Sequence, residues 1–358
     1  MNDKTLFQKV NSTSSLSGVI RTRPEDFQVD EIQQFTPSGK GEHVWLHIQK
    51  TGENTEWVGD CLAKIAEVPR KDVSYAGMKD RHAVTTQWFS VQMPGREAPD
   101  WKAQLPDSVV LLDEQRHDRK LKRGALKGNA FKLVIREFKG SGSNNENEAE
   151  LKASVDRIVE QGIPNYFGEQ RFGYFDSAHG CGLNIRKAGQ WFRGEFKVKS
   201  RPKRSIYLSA ARSWIFNHIL SARVKDGTWN KAVQGDVFML AGSKSCFEEK
   251  VDDEIIQRVQ DQNLHPTGAL WGQGSLASTD KIATLENQVS AEFKILCEGL
   301  EKHGLKQERK ALRLSVKDLE YSFVEKDVVC LTFTLPAGAY ATSVLSELGE
   351  SFYNFIKM

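Results

Sequence analysis

Strand-like segments crowd the two ends of this 358-residue chain while its middle reads as helical, and that arrangement restricts the fold more than any single motif. Near the N-terminus residues 42–49 and 88–93 have strand character. Residues 131–136 alternate, placing Phe131, Leu133 and Ile135 on one face and Lys132 and Arg136 on the other. Strand character returns at 328–335, before a turn at Pro336 and Gly338 and a helix carrying Val344, Leu345 and Leu348. Between these ends, helices are expected at 210–226 and 282–303, the second with Leu285, Val289, Leu296 and Leu300 near one face. One further helix falls among the early strands, near 56–67. Its expected buried stripe is Trp57, Cys61 and Ile65, with Val58 and Leu62 beside them and Asn54 or Thr55 as cap. The polar run 140–150, GSGSNNENEAE, is expected to be an exposed loop. The helix after it, striped by Leu151, Val155 and Ile158, stops at Gly162 and Pro164. A junction near this point suggests a domain inserted into one built from both chain ends.

Composition narrows the class. Hydrophobic residues make up 39% and charged residues 27%, and no apolar run is long enough for a membrane span. Asp3, Lys4 and Gln8 interrupt the start where a secretory signal would be apolar, so a cytoplasmic location is expected. Cys61, Cys181, Cys246, Cys297 and Cys330 are scattered and odd in number, which reads as reduced thiols rather than a disulfide or zinc framework. His43 and His47 share one side of a strand and read as packing, so no structural metal is expected.

A net charge of +3 decides nothing by itself, but its distribution is uneven. Residues 116–139 hold nine lysines and arginines against Asp118 and Glu137, and residues 186–204 hold eight against Glu195; each run nets +7. Such runs either follow a phosphate backbone or form solvated faces.

The string YAGMKDRHAVTTQ at 75–87 sets Asp80 between Lys79 and Arg81, just after a permissive Gly77 and just before a strand. Flanking positive charge favours an ionised carboxylate. Taken alone, an aspartate in such a turn is an ordinary local acceptor as readily as a reacting group. The segment from Gly77 to Gln87, however, resembles the catalytic motif of TruD-type tRNA pseudouridine synthases. So do RPEDF at 23–27, GALKGNAF at 124–131, PNYFGEQRFG at 164–173 and LPAGAYATSVLSEL at 335–348, in the family's order across nearly the whole chain.

That resemblance implies an α+β fold: a catalytic domain with a mixed, largely antiparallel sheet from residues 1–161 and 308–358, and an inserted α/β domain at 162–307. It implies that uridine in tRNA, at position 13, is isomerised to pseudouridine with Asp80 as the reacting carboxylate. Phe27, Asn129 and Phe333 are then the substrate-binding residues, and Arg21, where the family commonly has lysine, is the basic partner of Asp80. From composition alone each Phe is core and Asn129 a turn residue. The resemblance implies no cofactor, no metal and no obligate protein partner, with tRNA in a basic cleft between the domains. PNYFGEQRFG reads as a hinge and HPTGALWG at 265–272 as packing. Two rivals remain: a cofactor-dependent RNA enzyme such as a methyltransferase, for which no strand, glycine-rich turn and helix is found, and a non-catalytic RNA-binding module.

Overall fold

The computed structural model describes residues 7–354 and divides into two compact units. One comprises Ser14–Val155, Val316–Ala341 and the chain from Leu348 onward. The other comprises the chain up to Thr13, Asp156–Ser315 and Thr342–Glu347.

The first unit is organised by one sheet of ten described strands. They are β1 (Ser17–Ile20), β2 (Phe27–Gln33), β3 (His43–Thr51), β4 (Val73–Tyr75), β5 (Val84–Gln92), β6 (Val109–His117), β7 (Leu126–Lys139), β8 (Lys317–Glu325), β9 (Val328–Pro336) and β10 (Ser351–Asn354). The main path runs β8-β9-β7-β2-β5-β3-β6; β1 joins β7 and β10, and β4 joins β5. The β2–β5 and β1–β10 pairs are parallel and the rest antiparallel. The sheet is thus mixed and largely antiparallel, as expected, and late strand β9 lies against early strand β7 with Phe333 opposite Phe131 and Leu335 opposite Asn129.

Helix α1 (Thr55–Ile65) covers this sheet, joining a core with Val44, Leu46 and Ile48 of β3 and Phe89 and Val91 of β5. Its buried face is Thr55, Val58, Gly59, Leu62 and Ala63, whereas Trp57 is 38% exposed and Cys61 half-buried. Val58 and Leu62 are buried as expected and Ile65 packs against the same core, but the centre of the buried face is shifted toward Gly59 and Ala63, small residues that allow close packing, and Thr55, whose hydroxyl is hydrogen-bonded.

The polar run 140–150 also departs from expectation, because a helix, Asn144–Gln161, begins inside it. Glu146 accepts from the Ser143 backbone N–H and hydroxyl, both at 2.7 Å, while Asn147 Oδ1 accepts from Gly142 N–H. Ser143 and Glu146 form half of a capping box, a start signal that polar composition masks. Leu151, Val155 and Ile158 are buried as expected, and Gly162, at φ +72°, ends the turn.

The second unit packs helices Leu183–Phe192, Arg201–Lys225, Asp280–Glu292 and Lys294–Lys302 with a four-stranded antiparallel sheet. Its core includes Trp214, Ile215, Ile219, Ala269, Leu296 and Leu300. The expected helix at 210–226 starts earlier, at Arg201, where Ser200 caps Lys203 N–H and Pro202 fits the first turn. The expected helix at 282–303 is two, separated at Phe293 with φ −115° and ψ 33°; no proline or glycine marks the break. PNYFGEQRFG lies wholly inside this unit, with Phe172 buried and Pro164 paired to Arg313, so it packs within one unit rather than joining two as a hinge. HPTGALWG contributes to the buried strand Leu264–Leu270, the packing role expected of it. Among the described residues no helix is long and apolar enough to cross a membrane.

Candidate active site

Asp80 stands on the loop between β4 and β5, its side chain 54% exposed, and the loop's backbone is held at successive points. Gln87 Nε2 donates to Gly77 O at 3.1 Å, and Thr55 Oγ1 accepts from Lys79 N–H at 3.0 Å while donating to Gln87 Oε1 at 2.9 Å. Lys50 Nζ donates to the carbonyl of Asp80 itself, at 2.7 Å. An exposed carboxylate is therefore carried on a segment whose freedom has been removed from below, as a reacting group on a rigid scaffold requires.

The cations next to Asp80 in sequence are not those that serve it. Lys79 turns inward to Glu31 Oε2 at 3.2 Å and to Asn129 Oδ1, while Arg81 donates to Gly52 O. The partner of the carboxylate is Arg21, whose Nη2 lies 3.0 Å from Asp80 Oδ2. Its guanidinium also lies over the Phe27 ring, 3.9 Å from the centroid, a double engagement that suits a planar delocalised cation and that a lysine ammonium would not reproduce. Arg21 adopts φ +58°, a conformation costing a non-glycine residue about 1 kcal/mol or more, so local geometry is strained to aim this side chain.

The remaining expected residues come together in two layers. Asn129, 9% exposed, sits opposite Glu31 on β2 and bonds Lys79, linking it to the loop that carries Asp80. Phe27 and Phe333 are only 1% and 2% exposed. Phe333 stacks on Phe131 with centroids 5.2 Å apart, and Phe131 meets Phe27 edge-on at 6.4 Å. Phe27 thus reaches Asp80 through Arg21, whereas Phe333 stands a ring further back.

Sequence reasoning passed over Lys50, Glu31 and Thr55. The signal was present: Lys50 is in phase with Val44, Leu46 and Ile48 on β3, and Glu31 with Phe27 and Val29 on β2, charges on the core face of alternating strands. Burial pushes Lys50 down to about 8, with the Asp80 and Glu53 charges opposing that shift and Lys79 adding to it. Burial likewise raises Glu31 and lowers Lys79, each partly offset by the other. His47 stacks on Trp88, and no cluster of metal-ligating side chains occurs among the described residues.

The model of the family "tRNA pseudouridine synthase D (TruD)" matches residues 7–191 and 184–348. The chain belongs to the TruD family. A tRNA pseudouridine synthase D of Methylococcus capsulatus is 49% identical over 93% of this chain and 91% of its own length, and one of Hydrogenovibrio crunogenus is 45% identical over 93% of each. The fold of a TruD crystal structure from Methanosarcina mazei superposes with a TM-score of 0.74, covering 98% of this chain and 97% of that one at 24% identity.

Proposed function

We propose that this chain is a tRNA pseudouridine synthase that isomerises uridine 13 with Asp80 as the reacting carboxylate. The observation that carries the reading is Asp80 itself: exposed, ion-paired to Arg21 through Oδ2, and fixed through its own carbonyl by Lys50. The reaction breaks the C1′–N1 bond, turns the uracil, joins C5 to C1′ and moves the C5 proton's equivalent to N1. No atoms or electrons are gained or lost, so the chemistry asks for no cofactor. Asp80 serves either as nucleophile at C1′ or as base at the neighbouring sugar carbon; both need a carboxylate oxygen presented to the ribose, and Oδ1 is not engaged by Arg21. The target base must leave its stack. Asn129 offers an amide to the uracil edge, and Phe27 and Phe333 form the apolar wall behind it. On this reading the sheet-bearing unit is the catalytic domain, the helical unit is the insertion, and tRNA is met in the cytoplasm.

Asp80→Asn keeps size and removes the charge. It should fold, bind tRNA and form no detectable pseudouridine on nucleoside analysis; mapping the wild-type product along the tRNA tests position 13. Substantial turnover by Asp80→Asn would remove Asp80 from the chemistry.

A further inference from the structure

Within the second unit, a recess of about 350 Å³ opens beside the helix Arg201–Lys225. Ser205, Ser209 and Ser213 line it at four-residue intervals, so one helix face presents three hydroxyls. Its apolar wall is Phe167, Leu208, Leu270 and Leu305. Arg212 also lines it but is committed to the fold, donating to the carbonyls of Leu270, Trp271 and Lys306 and pairing with Glu308 at 3.1 Å.

Arg171 is differently placed. Among the described residues its one hydrogen bond through the guanidinium is to Ser209 Oγ, at 2.5 Å, and no carboxylate pairs with it. Its guanidinium lies 4.6 Å from the Phe167 centroid, and Lys310 Nζ lies at the same distance from that ring, bonded only to the Asn165 carbonyl. Burial first, and then the Arg171 charge, push Lys310 well below its ordinary value, which favours the neutral amine and leaves Arg171 as the charged group on this ring. Ser213, only 2% exposed, lines the recess one turn beyond Ser209 on the same helix face. The helix that carries the stripe opens with Arg201, Lys203 and Arg204, the end of the second basic run.

We infer that this recess binds one phosphate group of the RNA backbone, with Arg171 as its charged donor and the Ser209 and Ser213 hydroxyls as neutral ones. A guanidinium with unused N–H groups and adjacent hydroxyls matches the three-oxygen face of a phosphate, and Phe167 holds the guanidinium plane in place. This gives the NYFGEQRFG motif a role that packing alone leaves out: it brings Phe167 and Arg171 to the serine stripe. That the phosphate belongs to tRNA rests on the synthase reading; the affinity of the recess for phosphate does not.

The test uses the full chain, with inorganic phosphate and unmodified tRNA as separate probes. Phosphate should raise the melting temperature above that in chloride at equal ionic strength, and Arg171→Gln should abolish the rise. For tRNA, the same variant should weaken binding roughly tenfold, the loss of one charge-assisted contact, and flatten the log–log salt slope by about 0.7 to 0.9. Should Arg171→Gln fold poorly, Ser205→Glu puts a carboxylate at the exposed mouth without disturbing the core and should produce both effects. An unchanged phosphate shift and salt slope in both variants would overturn the site. Loss of the phosphate shift with an unchanged tRNA slope would overturn its assignment to RNA, the recess then taking free phosphate. Phosphate binding by a wild-type chain that makes no pseudouridine would instead fail the synthase reading and leave the anion site standing.

Discussion

Lys50 is a lysine where strand periodicity calls for an apolar side chain, and its burial is compensated by donating to the carbonyl of Asp80. Because it titrates near 8 in the fold against an ordinary 10.5, the unfolded chain binds more protons between those values. Folding stability from this group therefore rises as pH climbs through that window. Activity should move the other way: the ammonium that faces Asp80, Glu53 and Lys79 is lost above about pH 8, and with it the charged donor on the loop. The rate on saturating tRNA should fall with an inflection near 8, and Lys50→Met should be slow and lack the inflection. A flat wild-type profile from neutral to pH 9.5 would discard this role. Burial also decides what is expected of Phe27 and Phe333. At 1% and 2% exposure, truncation to alanine should cost about 3–5 kcal/mol and appear first as a lowered Tm. Leucine separates the roles: Phe27→Leu should lose activity because the stack on Arg21 disappears, whereas Phe333→Leu should keep most of it. Equal activity in the two, at equal stability, would return Phe27 to the core.

The start of α1 is where an element and the site are joined. Thr55 Oγ1 receives the Lys79 amide and donates to Gln87, which in turn holds Gly77 O, so one hydroxyl ties helix, strand and the Asp80 loop. Thr55→Val preserves shape but leaves a buried amide and carbonyl unpaired, a loss of roughly 1–3 kcal/mol. With the loop loosened, kcat should fall about tenfold or more while tRNA affinity holds, because misplacing a reacting group acts on the chemical step. A Thr55→Val enzyme with wild-type kcat would show that the clamp is not needed. The same elements show where the sequence was legible. Alternation along β7 marks a strand with one core face, and the run Val328–Leu331 of β9, buried at every position, reads as a strand through its apolar content. The face of α1 was legible only in part, because Thr55 and Gly59 are buried for hydrogen bonding and close packing. The start of Asn144–Gln161 was hidden by its polar composition although Ser143 and Glu146 marked it. The motif resemblance named both Asp80 and Arg21, which meet across 59 residues, but not Lys50, whose contact with the Asp80 carbonyl spans 30 residues and leaves no local pattern.

At the scale of the whole chain, the two basic runs fall in different compact units, the first in the sheet-bearing unit and the second in the helical one. Not every charge in them is free for a partner: Arg136 is committed to Asp26 at 2.8 Å and Arg193 to Glu195 at 2.6 Å. Arg119, Lys122, Lys203 and Arg204 are exposed. If one tRNA engages both units at once, each phosphate contact removed should flatten the salt slope by about 0.7 to 0.9 whichever unit it comes from. Paired neutralisation of Arg119 and Lys122, and separately of Lys203 and Arg204, should then each flatten it by about 1.4 to 1.8, and the four together by the sum. Turnover at saturating tRNA should persist throughout, because on the proposed reading phosphate contacts position the RNA and the chemistry belongs to Asp80. The additivity is the informative part. Binding through one unit only would leave the slope untouched by the other unit's pair, and the charge run there would be a solvated face. Two units that bind separate RNA molecules would give the single-pair effects but a stoichiometry above one. Only simultaneous engagement of one tRNA joins an additive slope to one-to-one binding.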